Sequence, residues 1–154
     1  MIITLLAVGR LGRSAEHALA QAYAERATAV GRALGVGPVE IIEVEARKPG
    51  KAADAAALEP HFADAHVIAC DEHGQGLSSR DIAQRIAALR DQGVRRLIFV
   101  VGGPDGLDTS IVRAARERLA FGPQTWPHLL ARALLSEQVY RAMTILAGHP
   151  YHRS

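Results

Sequence analysis

The sequence has 154 residues, of which 49% are hydrophobic and 22% charged, with a formal net charge of +2. This length predicts one domain over residues 1–154 with a substantial core, and the composition is that of a globular protein rather than a disordered chain. A single cysteine, Cys70, excludes an intrachain disulfide and a cysteine-based metal cluster, and it fits a reducing cytoplasm. The apolar start at residues 2–8 is too short for a signal peptide or a membrane span.

The charge is unevenly distributed along the chain. Residues 109–154 contain six arginines and two acidic residues, a net of +4, whereas residues 1–108 contain twelve basic and fourteen acidic residues, a net of −2. A basic C-terminal third favours a polyanionic partner such as RNA. Chance variation in surface charge explains the same imbalance about equally well.

Predicted strands and helices alternate from one end of the chain to the other. In the first half, the predicted strands are 2–8, 39–44 and 66–70, and the predicted helices are about 14–34, 52–65 (interrupted at Pro60) and 78–91. In the second half, the predicted elements are a strand at 97–101, a helix from Asp108 or Thr109 to about 118, a strand at 119–122 and a helix from about 127 to 147. This alternation predicts an α/β fold with a mainly parallel sheet.

Three polar segments follow the first three strands. Gly9-Arg10-Leu11-Gly12 has the residues to bind phosphate, but a plain strand-to-helix turn is the simpler interpretation. The basic loop Arg47-Lys48-Pro49-Gly50-Lys51 either touches a nucleic-acid backbone or is merely solvated. Asp71-Glu72-His73 is interpreted as a polar loop, because no further ligand stands at a spacing typical of a metal site.

The strand at 97–101 ends in the turn Gly102-Gly103-Pro104-Asp105-Gly106. Its unbroken apolar run is typical of a strand buried on both faces, and the glycines allow backbone to come close to a ligand. Ligands of open α/β sheets lie beyond the carboxyl ends of strands. The turn matches neither a P-loop, nor Gly-x-Gly-x-x-Gly, nor a Gly-x-Ser-x-Gly elbow, which disfavours triphosphates, dinucleotides and a serine hydrolase. A different small molecule is therefore expected here.

The last predicted helix is apolar on two sides. One stripe contains Leu129, Ala133, Tyr140 and Ala147, and the other contains Leu135, Val139, Ala142 and Leu146. Because packing on the sheet would cover only one side, the second stripe predicts a second subunit. Glu137 and Arg141 are spaced to form an i,i+4 ion pair between the stripes.

Three blocks of sequence together resemble the ribosomal large subunit methyltransferase H family, a minimal type of SPOUT RNA methyltransferase. The blocks are the segment 100–107 around the glycine turn, Thr125-Trp126-Pro127-His128 with the helical segment 136–142, and the tail His149-Pro150-Tyr151-His152-Arg153. The opening segment 6–9 and the basic segment 48–51 also fit, so the resemblance covers the full length in order.

The resemblance implies a fold, a cofactor and a substrate. The fold would be an α/β SPOUT domain with a C-terminal trefoil knot, one of the rare exceptions to unknotted folding, and the protein would be a homodimer. The cofactor would be S-adenosyl-L-methionine (SAM), with no metal. The enzyme would methylate N3 of a pseudouridine in helix 69 of 23S rRNA, on assembled ribosomes.

The resemblance also implies two sets of site residues. The cofactor contacts fall at Cys70, Gly102, Gly103, Phe121, Gly122, Pro123, Gln124, Thr125 and Trp126. The residues expected to act on the RNA base are Arg153, His152, Tyr151, His128 and Arg141. Arginine would favour a deprotonated base, histidine would accept the proton, and tyrosine would stack on a base of the loop.

Two alternatives stay open from the residues alone. The first alternative to an rRNA methyltransferase is a SPOUT methyltransferase of tRNA or another RNA. The second is a catalytically silent RNA- or ribosome-binding module with the same fold. SAM binding separates the enzymes from the silent module.

Overall fold

The computed structural model describes residues 1–10 and 12–153. Leu11, in the predicted glycine–arginine turn, and Ser154, at the end of the tail, lie outside the described residues. Within the described range the strands are Ile2–Val8 (β1), Val39–Val44 (β2), His66–Gly76 (β3), Arg96–Val101 (β4) and Glu117–Ala120 (β5). The α-helices are Ala15–Gly31 (α1), Lys51–Leu58 (α2), Ser79–Asp91 (α3), Thr109–Ala114 (α4) and His128–Leu146 (α5). Short 3₁₀ helices, Arg32–Leu34 and Glu59–Phe62, extend α1 and α2.

The strands form one sheet in the order β2-β1-β4-β3-β5, and every neighbouring pair is parallel. The predicted α/β fold with a mainly parallel sheet is therefore confirmed. The central strand β4 is buried from Leu97 to Val101, as its unbroken apolar run indicated. Because all strands run the same way, their carboxyl ends lie along one edge, and the loops that follow them are neighbours.

Local signals in the sequence fix several helix ends. Ser14 accepts a hydrogen bond from the His17 amide at the start of α1. Ser78 caps α3 and forms a capping box with Asp81. The Asp108 side chain accepts from the Ser110 amide at the start of α4, so Asp108 rather than Thr109 is the cap.

Three predicted boundaries are wrong, and all of them involve pairing between β3 and β5. The third strand was predicted to end at Cys70, but β3 continues to Gly76 because Leu119 pairs with both Cys70 and Gln75 across a bulge. Gly74 permits this, since a Cβ there would lie 2.7 Å from the Leu119 backbone. The helix predicted to reach residue 118 ends at Ala114, and the strand predicted at 119–122 lies instead at Glu117–Ala120. The residues after the helix join the sheet early, because the Arg116 amide donates to the Val67 carbonyl.

The prediction that one stripe of α5 needs a second subunit rested on a wrong premise. Leu135 is 1% exposed and Val139 is fully buried within a single chain. Helices α1 and α3 pack on either side of α5, and α1 offers small buried residues, Ala20, Ala24 and Ala27, that allow close approach. The stripe that contains Leu135, Val139 and Ala142 is therefore buried within one chain. No helix in the described part of the chain is long and apolar enough to cross a membrane.

Candidate functional site

A cleft of about 690 Å³ opens beyond the carboxyl ends of β3, β4 and β5. Its size falls within the range of about 300–1,000 Å³ that is typical of small-molecule sites. The walls come from the β3 bulge, the glycine turn after β4, the segment after β5 and the first turn of α5. The sheet order brings these segments together although they are spread over sixty residues of sequence.

The two adjacent glycines of the turn have different roles. The turn closes on itself, because the Gly106 amide donates to the Gly103 carbonyl at 3.0 Å. A Cβ on Gly102 would lie 2.6 Å from the Gly106 carbonyl carbon, so Gly102 is required for the turn to form. A Cβ on Gly103 would meet only the Asp54 Oδ2, at 3.5 Å, and Gly103 lines the cleft.

Acidic and basic side chains both line the cleft near the turn. Asp105 and Asp71 line it, and Asp71 lies 3.7 Å from the Arg118 guanidinium. Desolvation, and then the nearby charge of Asp105, raise the pKa of Asp54 beside the turn. Lys51, Arg113 and Arg118 line the same cleft, so its charged walls carry both signs.

The segment after β5 is held in a loop by one tryptophan. Trp126 is 41% exposed, and its indole N–H donates to the Phe121 carbonyl at 2.9 Å. Gly122, with φ +88°, takes the conformation that this tight loop requires. Phe121, Gly122, Gln124, Thr125 and Trp126 all line the cleft, whereas Pro123 does not.

Cys70 lines the cleft as a neutral contact. Burial raises the pKa of its thiol to about 12, so the thiol is protonated at neutral pH. A protonated thiol is a poor nucleophile, and Cys70 is not suited to covalent catalysis.

His128 is the predicted catalytic residue that the structure brings into the cleft. It begins α5 and is half-buried. Desolvation, and then the charge of Arg132, lower the pKa of His128 below its ordinary value of 6.5. The imidazole is therefore mostly neutral at pH 7 and can accept a proton from a bound molecule.

Sequence reasoning missed Arg132, which is only 5% exposed. Its guanidinium donates to Glu43 Oε2 at 2.9 Å, to the Gly9 carbonyl at 3.0 Å and to the Val8 carbonyl. It therefore ties α5 to the carboxyl ends of β1 and β2. The available signal was an arginine in an otherwise apolar helical segment, Leu129 to Leu135, where a buried charge requires partners.

The other predicted RNA-facing residues form a separate group at the far end of α5. Tyr151 packs on Tyr140 with ring centroids 4.7 Å apart, and its hydroxyl donates to Glu137 at 3.0 Å. Arg141 donates twice to the same carboxylate, at 2.9 and 2.6 Å, which confirms the expected i,i+4 pair. Burial, with further contributions from Tyr23 and Glu137, raises the pKa of Tyr151, so its hydroxyl stays protonated.

This tail group does not line the cleft of its own chain. The His152 Nδ1 lies 3.4 Å from Arg141, and Arg153 is exposed at the end of the tail. Arg141 follows His128 by thirteen residues, which is about 20 Å along an α-helix. Of the predicted site residues, the structure collects Cys70, Gly103, Phe121, Gly122, Gln124, Thr125, Trp126 and His128 in the cleft. Gly102 supports the turn, and the tail group lies elsewhere.

A family model described as a predicted SPOUT methyltransferase matches residues 1–152 of this chain. The chain belongs to the SPOUT methyltransferase family. Members of this family named ribosomal RNA large subunit methyltransferase H are similar to it over 99% of both chains. The identity is 68% for the protein of a Caulobacter species, 65% for that of Phenylobacterium zucineum and 47% for that of Ruegeria pomeroyi.

Solved structures of more distant proteins have a similar fold. A probable methyltransferase from Bordetella pertussis is 17% identical, with a TM-score of 0.55 over 92% of this chain and 95% of its own. A probable methylase family protein from Haemophilus influenzae is 14% identical, with a TM-score of 0.57 over 99% of this chain and 70% of its own. At such low identity these likenesses concern the fold alone.

Proposed function

We propose that this protein uses SAM to methylate the rRNA of the large ribosomal subunit. The observation that carries the proposal is the full-length identity of up to 68% with relatives named for that activity. The cleft beside the glycine turn supports it, because it provides a small-molecule site where such a sheet binds ligands. The whole chain, residues 1–154, would form one catalytic domain working in the cytoplasm.

The cleft residues fit SAM. Gly103 and the loop 121–126 would hold it through exposed backbone, and Cys70 would contact it as a neutral side chain. The cleft walls carry acidic and basic side chains, which suits a molecule with charges of both signs, such as SAM. When bound, SAM supplies an already activated methyl group, so no nucleophile of the protein is required.

The substrate atom would be N3 of a pseudouridine in helix 69 of 23S rRNA, on assembled ribosomes. The N3–H must lose its proton for this nitrogen to be methylated. An imidazole nitrogen of His128 would accept that proton, because His128 is neutral and lines the cleft. His152 is the second candidate acceptor, and Arg153 or Arg141 would stabilise the deprotonated base. Tyr151 would stack on a neighbouring base.

We infer that each active site is shared between the subunits of a homodimer with a C-terminal trefoil knot. The position of the tail group supports this, because Arg141 lies about 20 Å along α5 from His128. A tail that cannot complete the cleft of its own chain is available to complete the cleft of a partner. The knotted topology rests on the family resemblance.

The function is tested in a strain from which the gene has been deleted. Mass spectrometry of 23S rRNA should show the loss of one methyl group in helix 69, and the wild-type gene should restore it. Loss of a methyl group from a tRNA instead would establish the alternative substrate. Calorimetry with SAM distinguishes an enzyme from a catalytically silent module. Absence of SAM binding to the purified protein would identify a silent RNA-binding module.

A further inference from the structure

Two basic segments noted in the sequence meet at one surface that the proposed reaction does not use. Arg10 and Arg13 follow β1, and Arg47, Lys48 and Lys51 follow β2. We propose that this strand-end basic surface binds the phosphate backbone of the rRNA around the target nucleotide. The proposal rests on the proposed function and adds a second contact region to it.

The sheet topology places the two segments side by side. Strands β1 and β2 are neighbours in register, with Val8 opposite Val44, and the Gly9 amide donates to the Val44 carbonyl at 2.8 Å. Arg10 on one segment lies 3.5 Å from Glu45 on the other. The five basic residues therefore form one surface, although up to 41 positions separate them in sequence.

The surface adjoins the cleft. Lys51 belongs to both, because it begins α2 and lines the cleft. In the sheet order, β2 and β1 precede β4 and β3, so the basic loops and the cleft share the same edge. Three strand spacings of about 4.8 Å separate β2 from β3, a span of about 14 Å. An RNA loop seated at the cleft would therefore pass over the basic surface.

The charges of this surface are available to a ligand. All five side chains belong to exposed residues. Within residues 1–10 and 12–153, Arg13, Arg47 and Lys48 take part in no ion pair. Arg10 pairs with Glu45, but both side chains are more than 60% exposed, and such pairs are worth little. The segments 9–14 and 45–51 carry five basic residues and one acidic residue, a net of +4, in a chain whose total is +2.

Arg132 anchors the strand ends that precede the two basic segments. Its guanidinium holds the Gly9 carbonyl after β1 and the Glu43 carboxylate near the end of β2. Through Arg132, the starts of both basic segments are attached to α5. The same helix carries His128 into the cleft. Exposed arginine and lysine side chains on anchored backbone can donate hydrogen bonds to phosphate oxygens. Such contacts depend on charge and not on the nucleotide sequence.

The test compares two double variants with the same loss of charge. Arg47→Gln/Lys48→Gln removes two charges from the surface and spares Lys51. Arg32→Gln/Arg95→Gln is the matched control, because both of its residues are exposed and precede β2 and β4 at the opposite edge of the sheet. Binding and methylation of ribosomes from the deletion strain are measured at several salt concentrations, and SAM binding is measured by calorimetry.

We expect the surface variant to bind ribosomes roughly tenfold more weakly near physiological salt, and the control to bind like wild type. The slope of log K against log[salt] should shrink by about 1.5 for two lost phosphate contacts. SAM affinity should not change.

Other outcomes separate this proposal from the proposed function. Equal binding by the two variants, with methylation intact, would overturn the surface and leave the function standing. Weakened binding of the surface variant, with no methylation by wild type, would support the surface and overturn the function. Lower affinity with an unchanged salt slope would indicate a contact other than phosphate, such as a ribosomal protein, and would overturn the proposal. Loss of SAM affinity would do the same, because it would assign Arg47 and Lys48 to the cleft.

Discussion

Gly102 and Gly103 are adjacent in sequence, but substitution should affect them differently. We expect Gly103→Val to lower SAM affinity at least tenfold while the protein stays folded, because its side chain would occupy the cleft wall without striking backbone. Gly102→Val should lower the unfolding temperature as well, since its Cβ would collide with the Gly106 backbone. Calorimetry with SAM and thermal unfolding of both variants measure the two effects. Unchanged SAM affinity in Gly103→Val would remove the turn from the cofactor site.

His128 should give the reaction a pH dependence. Because its pKa is lowered in the folded protein, it stays neutral until the pH falls below the ordinary value near 6.5. We therefore expect kcat/KM to fall as the pH is lowered, with a midpoint below pH 6.5. His128→Gln should lose most of the rate and should also lose this acid limb of the pH profile. An unaltered acid limb in His128→Gln would transfer the proton-accepting role to another group, with His152 the first candidate.

The same pKa shift affects stability. The unfolded chain binds a proton at His128 more readily than the folded chain, so protonation favours unfolding. Stability should be at its full value above about pH 6.5 and should decline as the pH falls from there through the lower folded pKa. Denaturant unfolding of wild type and His128→Gln at pH 7.5 and 5.5 measures this, and the wild type should lose more stability than the variant.

At the scale of elements, α5 is the helix around which one half of the molecule packs. Leu135 is 1% exposed between α1, α3 and the sheet, so Leu135→Ala should cost about 2–5 kcal/mol of unfolding free energy. Leu19 on α1 is 47% exposed, and Leu19→Ala should change stability by less than about 0.5 kcal/mol. Denaturant melts at equal protein concentration give the comparison. A small cost for Leu135→Ala would mean that the second stripe of α5 is less well packed than the structure indicates.

At the scale of the whole molecule, the separation of cleft and tail leads to a complementation experiment. Gly103→Val would disable a cleft, and Arg153→Ala would disable a tail. If sites are shared between subunits, one of the two sites in a mixed dimer carries neither lesion. A random mixture of the two variants should then regain roughly a quarter of wild-type activity, since half of the dimers are mixed. The variants are co-expressed with different tags, and methyl transfer to ribosomes is measured on the doubly purified dimer. Every dimer in that sample is mixed, so roughly half of the wild-type activity is expected there.

Two controls define the result of that experiment. Each variant alone should be inactive, and both should form dimers in ultracentrifugation. A monomeric wild type at micromolar concentration, or no recovery in verified mixed dimers, would contradict a site that works by sharing one cleft and one tail. Full activity of Arg153→Ala by itself would remove that residue from the reaction.

The sequence by itself determined the features that depend on neighbouring residues. The alternation of apolar runs with capped helical segments predicted the parallel α/β sheet, because side-chain periodicity and helix capping are set by residues close in sequence. The glycine turn after β4 predicted where the cleft lies, since strand ends in a parallel sheet face one edge. Motifs spread over the full length indicated the family, which the match over residues 1–152 confirmed.

Only the tertiary structure decided features that depend on partners distant in sequence. Pairing with Leu119 carried β3 past Cys70, and the flanking helices α1 and α3 buried the stripe of α5 that had been assigned to a second subunit. The structural role of Arg132 depends on its hydrogen bonds to Glu43 and to the Gly9 carbonyl after β1, which are distant from it in sequence. The distance of Tyr151 and His152 from the cleft depends on where the tail docks, and docking through Tyr140 and Glu137 is a packing preference that no local pattern encodes.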